Sequence, residues 1–253
     1  MHVRSRPLSV PHPHHDHSTL ALLELDPELG AHVPDEHLAR IRRGLRVAVT
    51  TISGGRRDLS ALIGAGGFLV LDGVAVSRLA LAGTVSVEPL GPGDVVLPAT
   101  SEIDGGPLTA TLSTTAAGPL RVAVLPDALP AVLARTPGLA AGFLERAQRR
   151  AERARVLQAI ATVTRVDVRI LALLWHLAGR WGRVTPEGVS LRVPLTHRLL
   201  AELIGARRPT VTTVLGQLER TGALSRRTGD TWLLHGDPPA PEAPGDAGVV
   251  SLS

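Results

Sequence analysis

Apolar positions between Leu195 and Gly222, LTHRLLAELIGARRPTVTTVLGQLERTG, fall into two sets at helical spacing. Leu199, Leu200, Leu203 and Ile204 mark one short helix, and Val211, Val214, Leu215 and Leu218 mark a second. Gly205 follows the last periodic residue of the first, where a helix C-terminus favours a residue that tolerates positive φ. Pro209 falls in the first turn of the second, where a missing N–H costs nothing. Arg207, Arg208, Thr210, Thr212 and Thr213 crowd the start and one flank of that helix, while its apolar residues leave on the other. Arginine and hydroxyls at a helix N-terminus suit entry into a DNA major groove, where base edges and phosphates are both within reach. The plain alternative is a helical hairpin with a solvated polar face.

The flanks favour DNA. Val189-Ser190-Leu191-Arg192-Val193-Pro194 predicts a short strand before the helix pair, and Ala223–Arg227 with Thr231–Leu234 predicts a hairpin turning at Gly229-Asp230. Upstream, Val168 to Ala178 is a strongly apolar helix ending near Gly179 and Gly182, with Leu171, Leu174 and Trp175 as core and His176 as an ordinary histidine rather than a metal ligand. Helix, strand, helix–turn–helix and hairpin together spell a winged helix.

Before this unit, LAAGFLERAQRRAERARVLQAIATVTR runs about 27 residues after Pro137 without a helix breaker. Ala140, Leu144, Ala147, Ala151, Ala154, Gln158 and Ala161 follow a 4-3 spacing, a heptad seam of mostly small residues that lets two backbones approach. That makes the helix a candidate dimer interface; the alternative is a helix packed on its own domain. Earlier still the pattern shortens to the runs RVAVTTI, GFLVLDGVAVSRLAL, TVSVEPL, DVVLP, LTATLSTT and LRVAVLP, separated by Gly, Pro and Asp. These predict an antiparallel sandwich or barrel rather than βαβ units, and Gly91-Pro92-Gly93-Asp94 predicts a sharp turn before a strand. Leu20 to about Gly44, with Leu38 and Ile41 followed by Arg42 and Arg43, reads as helical. Residues 1–18 and the proline-rich stretch after Gly236 read as disordered tails. His12, His14, His15 and His17 in the first tail have nothing to fix a metal geometry, and no metal or cofactor is expected.

Composition narrows the possibilities. With no cysteine among 253 residues, disulfides, thiolate zinc sites, iron–sulfur clusters and cysteine nucleophiles are excluded. No stretch reaches the roughly 18 uncharged apolar residues of a membrane span and no signal-peptide core opens the chain, so a cytoplasmic protein is expected. All 27 basic residues are arginine. Residues 1–134 carry 10 of them against 13 acids, residues 135–235 carry 17 against 7, and the remainder has three acids and no base. The positive charge concentrates in the segment holding the helix pair, as a nucleic-acid footprint should.

The order of parts resembles the Crp/Fnr family of bacterial transcription regulators over roughly residues 40–236. The specific likeness is VDVRILALLWHLAGRWG followed by LRVPLTHRLLAELIGARRPTVTTVLGQLERTGALSRR, with its Leu-Thr opening, Ala-x-x-Ile-Gly and Arg-x-Thr-Val; GFLVLDGVAVSRLAL and VEPLGPGDVV are similar to the glycine turns of a cyclic-nucleotide-binding-type β-roll. The resemblance implies an α+β chain divided into a β-roll sensor-like domain (20–134), a dimerisation helix (135–165) and a winged helix–turn–helix (166–236), with tails at 1–18 and 237–253. It implies double-stranded DNA and a second copy of the chain as partners, with RNA polymerase and a small-molecule effector, or none, beyond them. Arg208 would contact a base, Thr210, Thr212 and Thr213 base edges or phosphates, and Arg207, Thr196, His197, Arg226 and Arg227 the DNA backbone.

Two departures from the family shape the expectation. Cyclic-AMP-binding members hold the phosphate with a Gly-Glu pair and a following Arg-Ser or Arg-Thr. Here Glu102 lacks the preceding glycine and no arginine lies between Arg78 and Arg121, so cyclic AMP is not the expected effector. In the recognition helix, Pro209 stands where the best-known members carry an acid and Thr213 where they carry a second arginine, so a different operator is expected. The rival class is a cupin-like enzyme or small-molecule-binding β-barrel whose winged helix makes protein contacts. A metal-dependent cupin needs converging histidines, and none occurs between Leu45 and Pro126. An effector-free regulator whose β-domain only supports dimerisation is the third possibility. The chain is not expected to be an enzyme.

Overall fold

The computed structural model describes residues 19–53, 57–64, 66–98 and 109–240. The histidine tract, the stretch around Glu102 and the residues after 240 lie outside the described residues. The chain is α+β: a curled antiparallel sheet, two long helices and a winged helix–turn–helix.

The first sheet has the order β1 (Thr19–Ala21), β2 (Arg46–Ile52), β6 (Ala110–Val124), β3 (Phe68–Leu81), β4 (Thr84–Leu90), with β5 (Val95–Val96) also paired to β3. Every pairing is antiparallel. Its spine is the ladder between the 14-residue β3 and the 15-residue β6. LTATLSTT and LRVAVLP, two runs in the sequence, are thus one strand. The register shifts between Val70 and Asp72 and again between Gly73 and Ala75, and the residues around Gly118-Pro119 form the irregularity opposite. Gly73 sits at φ 84°, and a Cβ there would lie 2.2 Å from the Pro119 carbonyl oxygen, so only glycine fits this crossing. These shifts bend the sheet into a half-barrel.

The helical reading of Leu20–Gly44 is corrected. Pro27 and Pro34 break it into α1 (Leu22–Leu25), a 3₁₀ turn at Pro27–Gly30 and α2 (Asp35–Gly44), because proline cannot continue the hydrogen bonding of a preceding helix. A short helix, α3 (Ser60–Gly64), precedes β3, and α4 (Leu129–Arg135) follows β6.

α5 (Pro137–Thr162) is the long helix, and it carries two ridges one residue out of step. The inner ridge, Leu139, Phe143, Arg146, Arg150, Arg153, Leu157 and Ile160, faces the rest of the chain, with buried apolar residues at its ends and arginines in its middle. The outer ridge is the alanine seam: Leu144, Ala147, Ala151, Gln158 and Ala161 are exposed, and Ala140 and Ala154 half-buried. Leu144, at 60% exposure, is an apolar side chain that its own chain leaves uncovered.

α6 (Val166–Trp181) leads into a second, four-stranded sheet of order β7 (Gly182–Thr185), β8 (Gly188–Arg192), β10 (Thr231–Leu234), β9 (Leu224–Arg227), with α7 (His197–Ile204) and α8 (Arg208–Arg220) inserted between β8 and β9. β7 adds an edge that the hydrophobic pattern does not predict. Ile170, Leu173, Leu174, Leu200, Ile204, Val211, Leu215 and Trp232 share one core, and Val74, Val76 and Val87 from β3 and β4 enter it. The winged helix therefore packs directly on the β3–β4 hairpin. No described helix is long and apolar enough to cross a membrane.

Candidate nucleic-acid interface

The helix pair forms where the spacing predicts it, and its ends explain its geometry. The Thr196 hydroxyl accepts a hydrogen bond from Leu199 N at 3.1 Å, capping the N-terminus of α7. At the other end Gly205, at φ 63°, lets its own N–H and that of Ala206 both reach the Ala201 carbonyl. The chain then turns sharply and restarts at Arg208, with Pro209 in the first turn of α8. Val211, Leu215 and Leu218 are buried, so α8 must present the opposite face to solvent. That face carries Arg208, Thr210, Thr212 and Thr213, all exposed, with exposed Arg207 just before it. Arg207 and Arg208 form no ion pair among the described residues.

The remaining predicted residues gather beside it, and several have intramolecular partners as well. The hydroxyls of Thr212 and Thr213 donate to the carbonyls of Arg208 and Pro209 at 3.1 and 3.2 Å, one helical turn back. His197 opens α7 half-buried, its Nδ1 3.0 Å from the Thr212 hydroxyl and its Nε2 3.2 Å from an Arg226 guanidinium nitrogen. Burial, with help from Arg226 and Arg208 and against Glu219, lowers its pKa below the usual 6.5, so it is neutral at pH 7. The Arg226 guanidinium also lies 4.6 Å over the ring of Trp232, the residue directly across the β9–β10 ladder. Arg227 pairs with Glu187 in the β7–β8 turn, so a phosphate would have to compete with that carboxylate. These wing contacts were not legible in the sequence: Glu187 and Trp232 show no spacing that links them to the arginines.

A second group of arginines faces inward. Arg146 donates to both oxygens of Asp26 at 2.7 and 2.8 Å, and Arg150 grips Glu88 at 2.8 Å. Asp94, only 3% exposed, lies between Arg153 of α5 and Arg180 of α6, the latter at 2.7 Å, and accepts from Gly91 N at 2.9 Å. Trp181 seats against Gly91, where a Cβ would lie 2.3 Å from the indole ring. Arg78 of β3 reaches Glu202 of α7 at 2.9 Å. The predicted turn Gly91-Pro92-Gly93-Asp94 is thus also the joint between the half-barrel and α6. His176 faces Arg153 and Arg180; burial first, then these two charges, lowers its pKa, which keeps it neutral. Among the described residues no cluster of three metal-ligating side chains occurs.

Residues 168–238 match the family model described as a Crp-like helix-turn-helix domain. Over 74 residues the chain is 34% identical to the regulatory protein CysR of Synechococcus elongatus, a match that spans 28% of this chain and 36% of that protein's length. The wider fold is similar to a CooA mutant from Carboxydothermus hydrogenoformans (17% identity, TM-score 0.57, 74% of this chain and 83% of that one). It is also similar to a cyclic nucleotide-binding domain containing protein from Listeria monocytogenes (16%, TM-score 0.56, 83% and 97%). A third similar structure is the c-di-GMP responsive global regulator CLP of Xanthomonas campestris (18%, TM-score 0.55, 85% and 99%).

Proposed function

Because the chain carries a Crp-like helix-turn-helix domain and resembles Crp/Fnr regulators in fold, we propose that it is a sequence-specific DNA-binding transcription regulator acting as a homodimer in the cytoplasm. The observation that carries this reading is the exposed polar face of α8, where Arg207 and Arg208, like Arg226 of the wing, have no carboxylate partner among the described residues. α8 enters the major groove. Arg208 reads a base, Thr210, Thr212 and Thr213 contact base edges or phosphates, and Thr196, Arg207, Arg226 and Arg227 lie along the backbone, with His197 set between Thr212 and Arg226. The outer ridge of α5 pairs two chains so that two recognition helices meet major grooves roughly 34 Å apart. The protein binds and does not catalyse.

A cavity of about 530 Å³ opens between the β3–β4 hairpin, α5 and the C-terminal end of α7, lined in part by Ser77, Ser86, Arg150 and Glu202. Arg150, the arginine in its lining, is already held by Glu88, so a cyclic phosphate would have to displace a carboxylate. An effector other than cyclic AMP, or none, fits this wall better. The test is selection of bound duplexes from random DNA by the purified full-length protein, with and without cyclic nucleotides. An imperfect palindrome with half-sites one helical turn apart, enriched regardless of cyclic AMP, is the expected result; no enriched sequence in any arm refutes the reading.

A further inference from the structure

Three elements of the winged helix meet at one side chain. His197 belongs to α7, Thr212 to the recognition helix α8 and Arg226 to the wing strand β9, and the imidazole touches both of the others. The donors and acceptors fix which nitrogen holds the proton. The Thr212 hydroxyl donates its hydrogen to the Arg208 carbonyl, so toward His197 its oxygen accepts, and Nδ1 must carry a hydrogen. A guanidinium has only donors, so Nε2 facing Arg226 must be bare. One tautomer satisfies both contacts, and a second proton on the ring breaks the contact to Arg226 and sets two cations against each other.

We propose that His197, in its neutral Nδ1–H form, is a positioning residue for DNA reading: it locks the wing arginine Arg226 and the recognition-helix Thr212 into one arrangement before DNA arrives. The guanidinium of Arg226 is held by two groups, the Trp232 ring beneath its carbon and the imidazole that accepts from one of its nitrogens. The groups facing the imidazole agree with a neutral ring: Arg208 and Glu219 of α8 and Arg226 of β9 surround it, and the two arginines outweigh the one acid. This differs from a histidine that simply touches a phosphate. A direct phosphate contact favours the protonated ring, so acid would strengthen binding. A positioning role needs the neutral ring, so acid weakens it.

The inference rests on the DNA-binding reading and is tested with the full-length protein on a labelled duplex recovered by selection from random DNA. Affinity is measured from about pH 8 to about pH 5. Wild-type protein should bind more weakly as pH falls through the histidine range. His197→Ala should lose about tenfold at the upper end, as expected for two hydrogen bonds, with a flatter profile. His197→Gln, which keeps an acceptor for Arg226 and has no titrating proton, should recover part of the loss and stay flat. Heteronuclear NMR of the imidazole in the free protein should find the Nδ1–H tautomer, a signature that a merely structural histidine need not give. Binding that strengthens in acid through His197, an Nε2–H tautomer, or His197→Ala with wild-type affinity overturns the proposal and leaves the DNA reading intact. Failure of the selection to yield any bound duplex overturns both.

Discussion

The arginines of residues 135–235 divide into two populations that look alike in the sequence. On α5 and α6, Arg146, Arg150, Arg153 and Arg180 are half-buried and answered by Asp26, Glu88 and Asp94. On α8 and the wing, Arg207, Arg208 and Arg226 are exposed and form no ion pair among the described residues. The first set holds the half-barrel, the long helix and α6 together; the second offers charge to a partner. A segmental charge count merges them. Part of the positive excess of this segment is cancelled by acids from residues 1–134, so the charge available to a polyanion is smaller than the count suggests. Only charge left uncompensated at the surface makes a field that DNA can feel.

The sharpest way to break this comparison is Asp94→Ala. It leaves Arg153 and Arg180 without their shared carboxylate and the Gly91 N–H without its acceptor, in a site that solvent hardly reaches. Because both arginines keep some water, the cost should lie below that of a fully buried broken pair, at about 2–4 kcal/mol of stability. Urea unfolding measures it. A loss under about 1 kcal/mol would place Arg153 and Arg180 with the solvent-facing set instead.

Arg208→Ala is the opposite case. Its side chain is exposed, so unfolding should scarcely change, while binding to a selected operator should weaken by about 1–3 kcal/mol and discrimination at one base position should relax. Arg226→Ala should weaken specific and random duplexes alike. Titration of both variants against both duplexes separates a base reader from a backbone contact, and equal losses for Arg208→Ala on the two would remove it from the first role.

The same division explains what could be read without a structure. Both helices of the pair, the wing hairpin and the long helix follow from local periodicity and from Gly205 and Pro209, because their chemistry is settled within a few residues. Gly118-Pro119 looks like a turn between two strands. It is instead an irregularity inside β6, tolerated because Gly73, far away in sequence, leaves room for the Pro119 carbonyl. β7 has no local signature, because Gly179 and Gly182 signal only a helix end and the strand is defined by pairing with β8. The inner ridge of α5 hides in plain view: Arg146, Arg150 and Arg153 repeat at 4-3 spacing like the alanine seam beside them. Their partners Asp26, Glu88 and Asp94 lie 120, 62 and 59 positions away, so no local pattern announces them.

Glu202 joins the two populations, since it pairs inward with Arg78 of the half-barrel and outward with the exposed Arg198 on its own helix. Burial pushes its carboxyl up, but hydrogen bonds from Arg198 and Arg78 pull harder, and its folded pKa falls below the ordinary 4.5. A depressed carboxylate adds stability that is fully present above the unfolded value and disappears as pH falls through the folded one. Glu202→Gln should therefore cost about 1 kcal/mol near neutral pH, and the gap to wild type should close as the medium is acidified below 4.5. Unfolding in urea at stepped pH values reads both. A gap that stays constant through that range would mean that shape rather than charge holds Glu202 against Arg78. Glu202 would then add no charge-based fastening to the shared apolar core and the Asp94 joint that hold the winged helix on the half-barrel.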